Sequence, residues 1–134
     1  MKKNEQYYEW MERAEDDLKA VKSLLKDEIY SIAAFEAQQC VEKTLKAYLL
    51  EKENTIPKIH TLPELMRHCS KHNEEFMQFQ SDLEWLNKFY QPARYPDAIA
   101  GMLPKGWPGK IEVEKALKIA EELFNFIELL LRDN

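Results

Sequence analysis

Few residues in this 134-residue chain could do chemistry, and they fall in three places. Glu42 and Lys46 stand four apart with Glu first, the favourable order for an ion pair on one helical face. Taken alone that pair reads as a solvated salt bridge. Within Gln38-Gln39-Cys40-Val41-Glu42-Lys43-Thr44-Leu45-Lys46 it also reads as part of a polar strip able to line a groove. His60 precedes Thr61 at a helix start, where its ring either caps or staples the turn or stands beside Glu42, Lys46 and Arg94 around a polar cleft. Tyr90, Arg94 and Tyr95 supply planar aromatic and cationic groups, suited to stacking on a base and gripping a phosphate. The same three could instead pin an irregular loop. In the binding reading Arg94 and Lys46 contact phosphate, Tyr90 and Tyr95 stack, and Glu42 holds Lys46.

Other combinations carry less. Arg67 and His72 match an Arg-x4-His spacing, but five positions rotate by about 140° on a helix, so the two side chains diverge. His68 and His72 read as surface residues near a helix end, where positive charge is favourable. Asp16-Asp17 and Glu121-Glu122 are adjacent on helices and splay by about 100°, which makes them solvated charges. Cys40 and Cys69 have neither metal-ligand spacing nor disulfide density and read as buried thiols. There is no H-E-x-x-H, Cys-x-x-Cys, G-x-S-x-G or Gly-rich phosphate loop, and no metal or cofactor is expected.

Helices must position these groups. Tyr7, Trp10, Met11, Ala14, Leu18, Val21, Leu24 and Leu25 recur at the three-and-four spacing of one helical face. Asp27-Glu28 breaks that stretch, and a second begins near Ser31 with Ile32, Phe35, Val41, Leu45, Tyr48 and Leu49, closed by Pro57. So short a link implies antiparallel neighbours. Thr61 as N-cap, with Pro63 and Glu64 behind it, opens a third helix to about His72. A shorter piece runs from Ser81 to Tyr90 on Leu83, Leu86 and Phe89 or Tyr90. All three glycines and four of six prolines then fall between Pro92 and Gly109, an irregular loop. A last helix from Ile111 to Leu131 buries Val113, Ala116, Leu117, Ala120, Leu123, Phe124, Ile127 and Leu131. The expectation is an all-α, up-and-down antiparallel bundle of four long helices plus a short one, in a single domain over residues 1–134.

Nineteen basic against 24 acidic residues give a net charge of −5, which opposes loose attachment to nucleic acid or an anionic bilayer. The N-terminus lacks a signal-peptide pattern and no run nears the ~20 apolar residues of a membrane span, so a cytoplasmic protein without a membrane partner is expected. The run Leu123–Leu131 is apolar on more than one face, which points to a central position or a homodimer.

Three blocks together resemble a known family: Gln-Gln-x-x-Glu-Lys-x-x-Lys-Ala-x-Leu ending at Leu49, then His60-Thr61-Leu62-x-x-Leu65, then Tyr90-x-x-x-Arg94-Tyr95-Pro96. Nearly the whole chain, from Ala14-Glu15-Asp16-Asp17-Leu18 to the last helix, is similar to HEPN domains (higher eukaryotes and prokaryotes nucleotide-binding). The resemblance implies a helical bundle that dimerises, binds a nucleotide or small-molecule substrate, and works beside a separate minimal nucleotidyltransferase in a toxin–antitoxin-like pair. It also implies an alternative, since many members are metal-independent ribonucleases using an Arg and a His four to six residues apart. Arg94 stands at the Arg position, but Ile99, Ala100 and Gly101 occupy the places where the His would be, so RNA enters only under that alternative.

Overall fold

A computed structural model of the chain describes residues 3–90 and 108–132, which form five α-helices with no strand among them: α1 Lys3–Lys26, α2 Tyr30–Glu53, α3 Leu62–Ser70, α4 Gln80–Leu86 and α5 Lys110–Arg132. Three are long, of 23 or 24 residues, and α3 spans nine. The 92–107 part of the expected loop lies outside the described residues.

The α1–α2 link is tight because α1 ends in a Schellman turn. The Ile29 N–H donates to the Leu24 carbonyl at 2.8 Å and the Glu28 N–H to the Leu25 carbonyl at 3.1 Å, with Glu28 in the left-handed region at φ 62°. The chain therefore reverses within three residues and α2 packs along α1. The expected face of α1 is the buried one: Tyr7, Met11, Ala14, Leu18 and Val21 are in the core, with Trp10, Leu24 and Leu25 at its edge.

The central helix is α2, not the last one. From Cys40 to Leu50 only Lys43 is not buried, because α1, α3 and α5 all pack against this stretch. Asn54, left-handed at φ 60°, stops α2 three residues before Pro57, and its N–H donates to the Leu50 carbonyl at 2.9 Å. The spare apolar face of α5 is covered in part from within the chain. A 3-10 segment at Glu74–Phe79, which periodicity did not indicate, is opened by the Asn73 side chain accepting from the Glu75 N–H at 2.9 Å. It brings Phe76 and Phe79 onto Phe126, with ring centroids 5.1 and 5.2 Å apart. Phe76 also meets Tyr48 of α2 at 4.8 Å. Leu129 stays 56% exposed.

Helix boundaries depart from expectation where distant side chains set them. Thr61 is the α3 N-cap residue, yet its hydroxyl makes no capping bond; the Leu62 N–H donates instead to Asn87 Oδ1 at 3.0 Å. The expected Ser81–Tyr90 helix is α4 followed by a 3-10 turn at Asn87–Phe89, and that turn delivers Asn87 to the start of α3. At α5 the Gly109 N–H donates to Glu112 Oε1 at 2.7 Å, half of a capping box.

Among the described residues no helix is long and apolar enough to cross a membrane. Cys40 and Cys69 are free, buried thiols.

Candidate functional site

Three segments converge on one polar cluster. Gln38, Glu42 and Lys46 recur every four residues along one stripe of α2. His60 comes from the α2–α3 link and Tyr90 from the end of the 3-10 turn after α4. Lys46 Nζ donates to Glu42 Oε2 at 2.8 Å, and the same oxygen lies 3.1 Å from His60 Nδ1. Side-chain exposure is 10% for Glu42, 7% for Lys46 and 56% for His60, so a buried ion pair carries a half-open imidazole. The Tyr90 ring lies parallel to that imidazole, at 4° with centroids 6.3 Å apart. Four of the six expected site residues, Glu42, Lys46, His60 and Tyr90, are thus brought together. Arg94 and Tyr95 lie outside the described residues.

The Glu42–Lys46 pair is not the solvated salt bridge that spacing alone suggests. Its burial follows from the central place of α2, where few positions reach solvent. Asp17, expected as a solvated charge, is corrected in the same way: it is 8% exposed and accepts from Lys43 Nζ at 2.8 Å, an ion pair joining α1 to α2. Glu121, by contrast, keeps to the surface and pairs with Lys22 at 3.1 Å.

The cluster has a proton-dependent geometry. His60 Nδ1 is also 3.3 Å from Lys46 Nζ. Lysine only donates, so Nδ1 accepts from Lys46 when it carries no proton and donates to Glu42 when it does. A proton on Nδ1 makes the imidazole a donor to the carboxylate and leaves Nε2, which has no partner among the described residues, as the acceptor. Two buried polar atoms beside this arrangement have no hydrogen-bond partner among the described residues: Glu42 Oε1 and Gln38 Nε2. Buried polar atoms are rarely left so, and an acceptor and a donor one turn apart form a pair that a ligand could satisfy. Gln38 belongs to the quoted motif but was not expected at the site; the four-residue stripe 38-42-46 is the signal that finds it.

Arg67 and His72 do not form a pair of this kind. The α3 helix ends at Ser70, Arg67 is exposed, and His72 Nε2 is 2.8 Å from Glu53 Oε2, with its ring edge-on to Tyr48.

Comparison with known proteins gives the family. "Putative toxin MJ1304" of Methanocaldococcus jannaschii is 29% identical over 133 residues, covering 92% of this chain and 87% of that protein. The crystal structure of TT1696 from Thermus thermophilus superposes with a TM-score of 0.80 at 28% identity, covering 92% of this chain and 96% of that one. ST0689, an archaeal HEPN homologue, gives 0.74 at 24% identity over 98% and 99% of the two chains, which speaks to the fold. The sequence model of the HEPN domain matches residues 7–130, nearly the full length, and the chain belongs to the HEPN family.

Proposed function

We propose that this HEPN protein is a non-catalytic binding module whose polar cleft takes a nucleotide or a similar phosphorylated molecule, the chemistry residing in a separate minimal nucleotidyltransferase of a toxin–antitoxin-like pair. The observation that carries this reading is the preorganised platform at Glu42, Lys46, His60 and Tyr90. A buried ion pair fixes the His60 ring through Nδ1, and His60 and Tyr90 present parallel planar groups where a base can stack. Lys46 gives its charge to Glu42, so in this reading Arg94 makes the main phosphate contact and Lys46 holds the carboxylate that orients His60. A homodimer, which the family resemblance implies, is part of the proposal.

Thermal shift tests the reading directly. A nucleotide at about 100 times its dissociation constant adds about 2.7 kcal/mol to stability, and Arg94→Ala or Tyr90→Ala removes that gain. If ATP, GTP and their monophosphates all leave the melting temperature unchanged, the binding module is refuted. Sedimentation over a range of protein concentrations tests the dimer, and a monomer at every concentration overturns it.

A second reading has its own support. An imidazole anchored through Nδ1 by a carboxylate, with Nε2 unbonded among the described residues, is the arrangement a general base requires. With Arg94 to steady phosphorane charge, His60 would stand in for the His absent after Arg94, giving a metal-independent ribonuclease toxin. RNA cleavage by the purified protein in EDTA, lost in both His60→Ala and Arg94→Ala, decides for this reading over the first.

A further inference from the structure

A second constellation, made of other residues than the cleft, lies where α4 and its 3-10 turn meet α5. Trp85 carries two lysines on its ring: Lys115 Nζ is 4.2 Å from the ring centroid and Lys88 Nζ 5.2 Å. Lys88 follows Trp85 by three residues, whereas Lys115 comes from α5, so the approach of the two ammonium groups is a tertiary feature. Neither lysine has a carboxylate within ion-pair distance among the described residues. The nearby Glu112 has one oxygen committed to the Gly109 N–H at 2.7 Å. Two cations share one indole, and the carboxylate that acts on Lys88, Glu112, is not within ion-pair distance of it among the described residues, in a protein whose overall charge is −5.

We propose that Lys88 and Lys115, held over Trp85, form a binding site for a phosphoryl group, a site that shares no residue with the Glu42–His60 cleft. Lysine binds phosphate as a point charge with rotatable donors, and two of them from different elements can bridge two oxygens of one tetrahedral anion. The lysines already occupy the indole, which leaves the site suited to the phosphate of a nucleotide rather than to its base. Burial, and after it the Lys115 charge, lowers the proton affinity of Lys88, against a smaller opposite pull from the Glu112 carboxylate.

The Trp85 indole is a built-in reporter. Its N–H resonance, identified by its loss in Trp85→Phe, should shift saturably when the full-length protein is titrated with inorganic pyrophosphate. Lys88→Gln and Lys115→Gln should each weaken that response about five- to tenfold, and the double Lys→Arg variant should retain it. A shift no larger than sodium chloride produces at equal ionic strength, or the same affinity in both Gln variants as in the native protein, overturns the proposal. Adenosine monophosphate against a dinucleotide phosphodiester then separates a terminal phosphate from a backbone one as the natural ligand. Because the readout sits on Trp85, a negative result leaves the cleft untouched, and loss of nucleotide binding in the cleft leaves this site standing.

Discussion

At the scale of single residues, what decides behaviour is how little water reaches α2. Glu42 and Lys46 neutralise each other inside the protein, and removing one partner strands the other. Lys46→Ala should therefore destabilise the fold by about 3 kcal/mol, whereas Glu42→Leu with Lys46→Met, which removes both charges and keeps the volume, should recover most of that loss. Urea unfolding of the three variants measures it; equal stability of single and double variants would show that the pair is solvated after all. The thiols obey the same logic. Burial pushes Cys40 up to about 12, with Asp17 adding to it, and burial pushes Cys69 up as well. Thiolates are the reactive form, so neither cysteine should react with a disulfide reagent at pH 8 until the protein unfolds. A fast reaction of either thiol in the native state would contradict its placement in the core.

At the scale of elements, most of the architecture was legible because periodicity reports which face is apolar, and Tyr7 to Leu25 and Ile111 to Leu131 do so cleanly. What was not legible depends on partners distant in sequence. No local signal tells that Asn87 rather than Thr61 caps α3, or that Phe76 and Phe79 pack on Phe126 and cover part of the second face of α5. The site shows the same division. Glu42 and Lys46 are visible as a pair four apart, but their burial follows from α2 lying at the centre, which no spacing along α2 encodes. Asn87→Ala should cost about 1 kcal/mol by leaving the Leu62 N–H without its acceptor, while Thr61→Ala should cost far less, the reverse of what position alone suggests. At the end of α1, Glu28 holds a left-handed conformation without glycine's freedom, and Glu28→Gly should raise stability by up to about 1 kcal/mol. Thermal unfolding of these three variants checks both statements. A larger loss for Thr61→Ala than for Asn87→Ala would reassign the cap.

At the scale of the whole molecule, these buried acids set an alkaline limit on stability. Cys40 is raised from its ordinary 9.0 to about 12, Tyr48 from 10.0 to about 12, and Cys69 is raised further still, each mainly by burial. All three are neutral when protonated and charged when not, so the native state retains protons that the unfolded chain releases. Stability from this source is complete below about pH 9, where both states are protonated, and is lost as the pH climbs from there towards 12. Each pH unit between the unfolded and folded values of one group removes about 1.4 kcal/mol, so three such groups together remove an amount comparable with the margin of a small domain as the pH approaches 12. The melting temperature should stay level from pH 7 to about 8.5 and then fall with increasing slope. Alkaline unfolding should coincide with the appearance of thiolate absorbance, because the thiols ionise only when the core opens. Thiolate absorbance rising near pH 9 while the helical circular dichroism signal stays intact would mean that Cys40 and Cys69 reach solvent in the folded protein, and the central position of α2 would have to be given up.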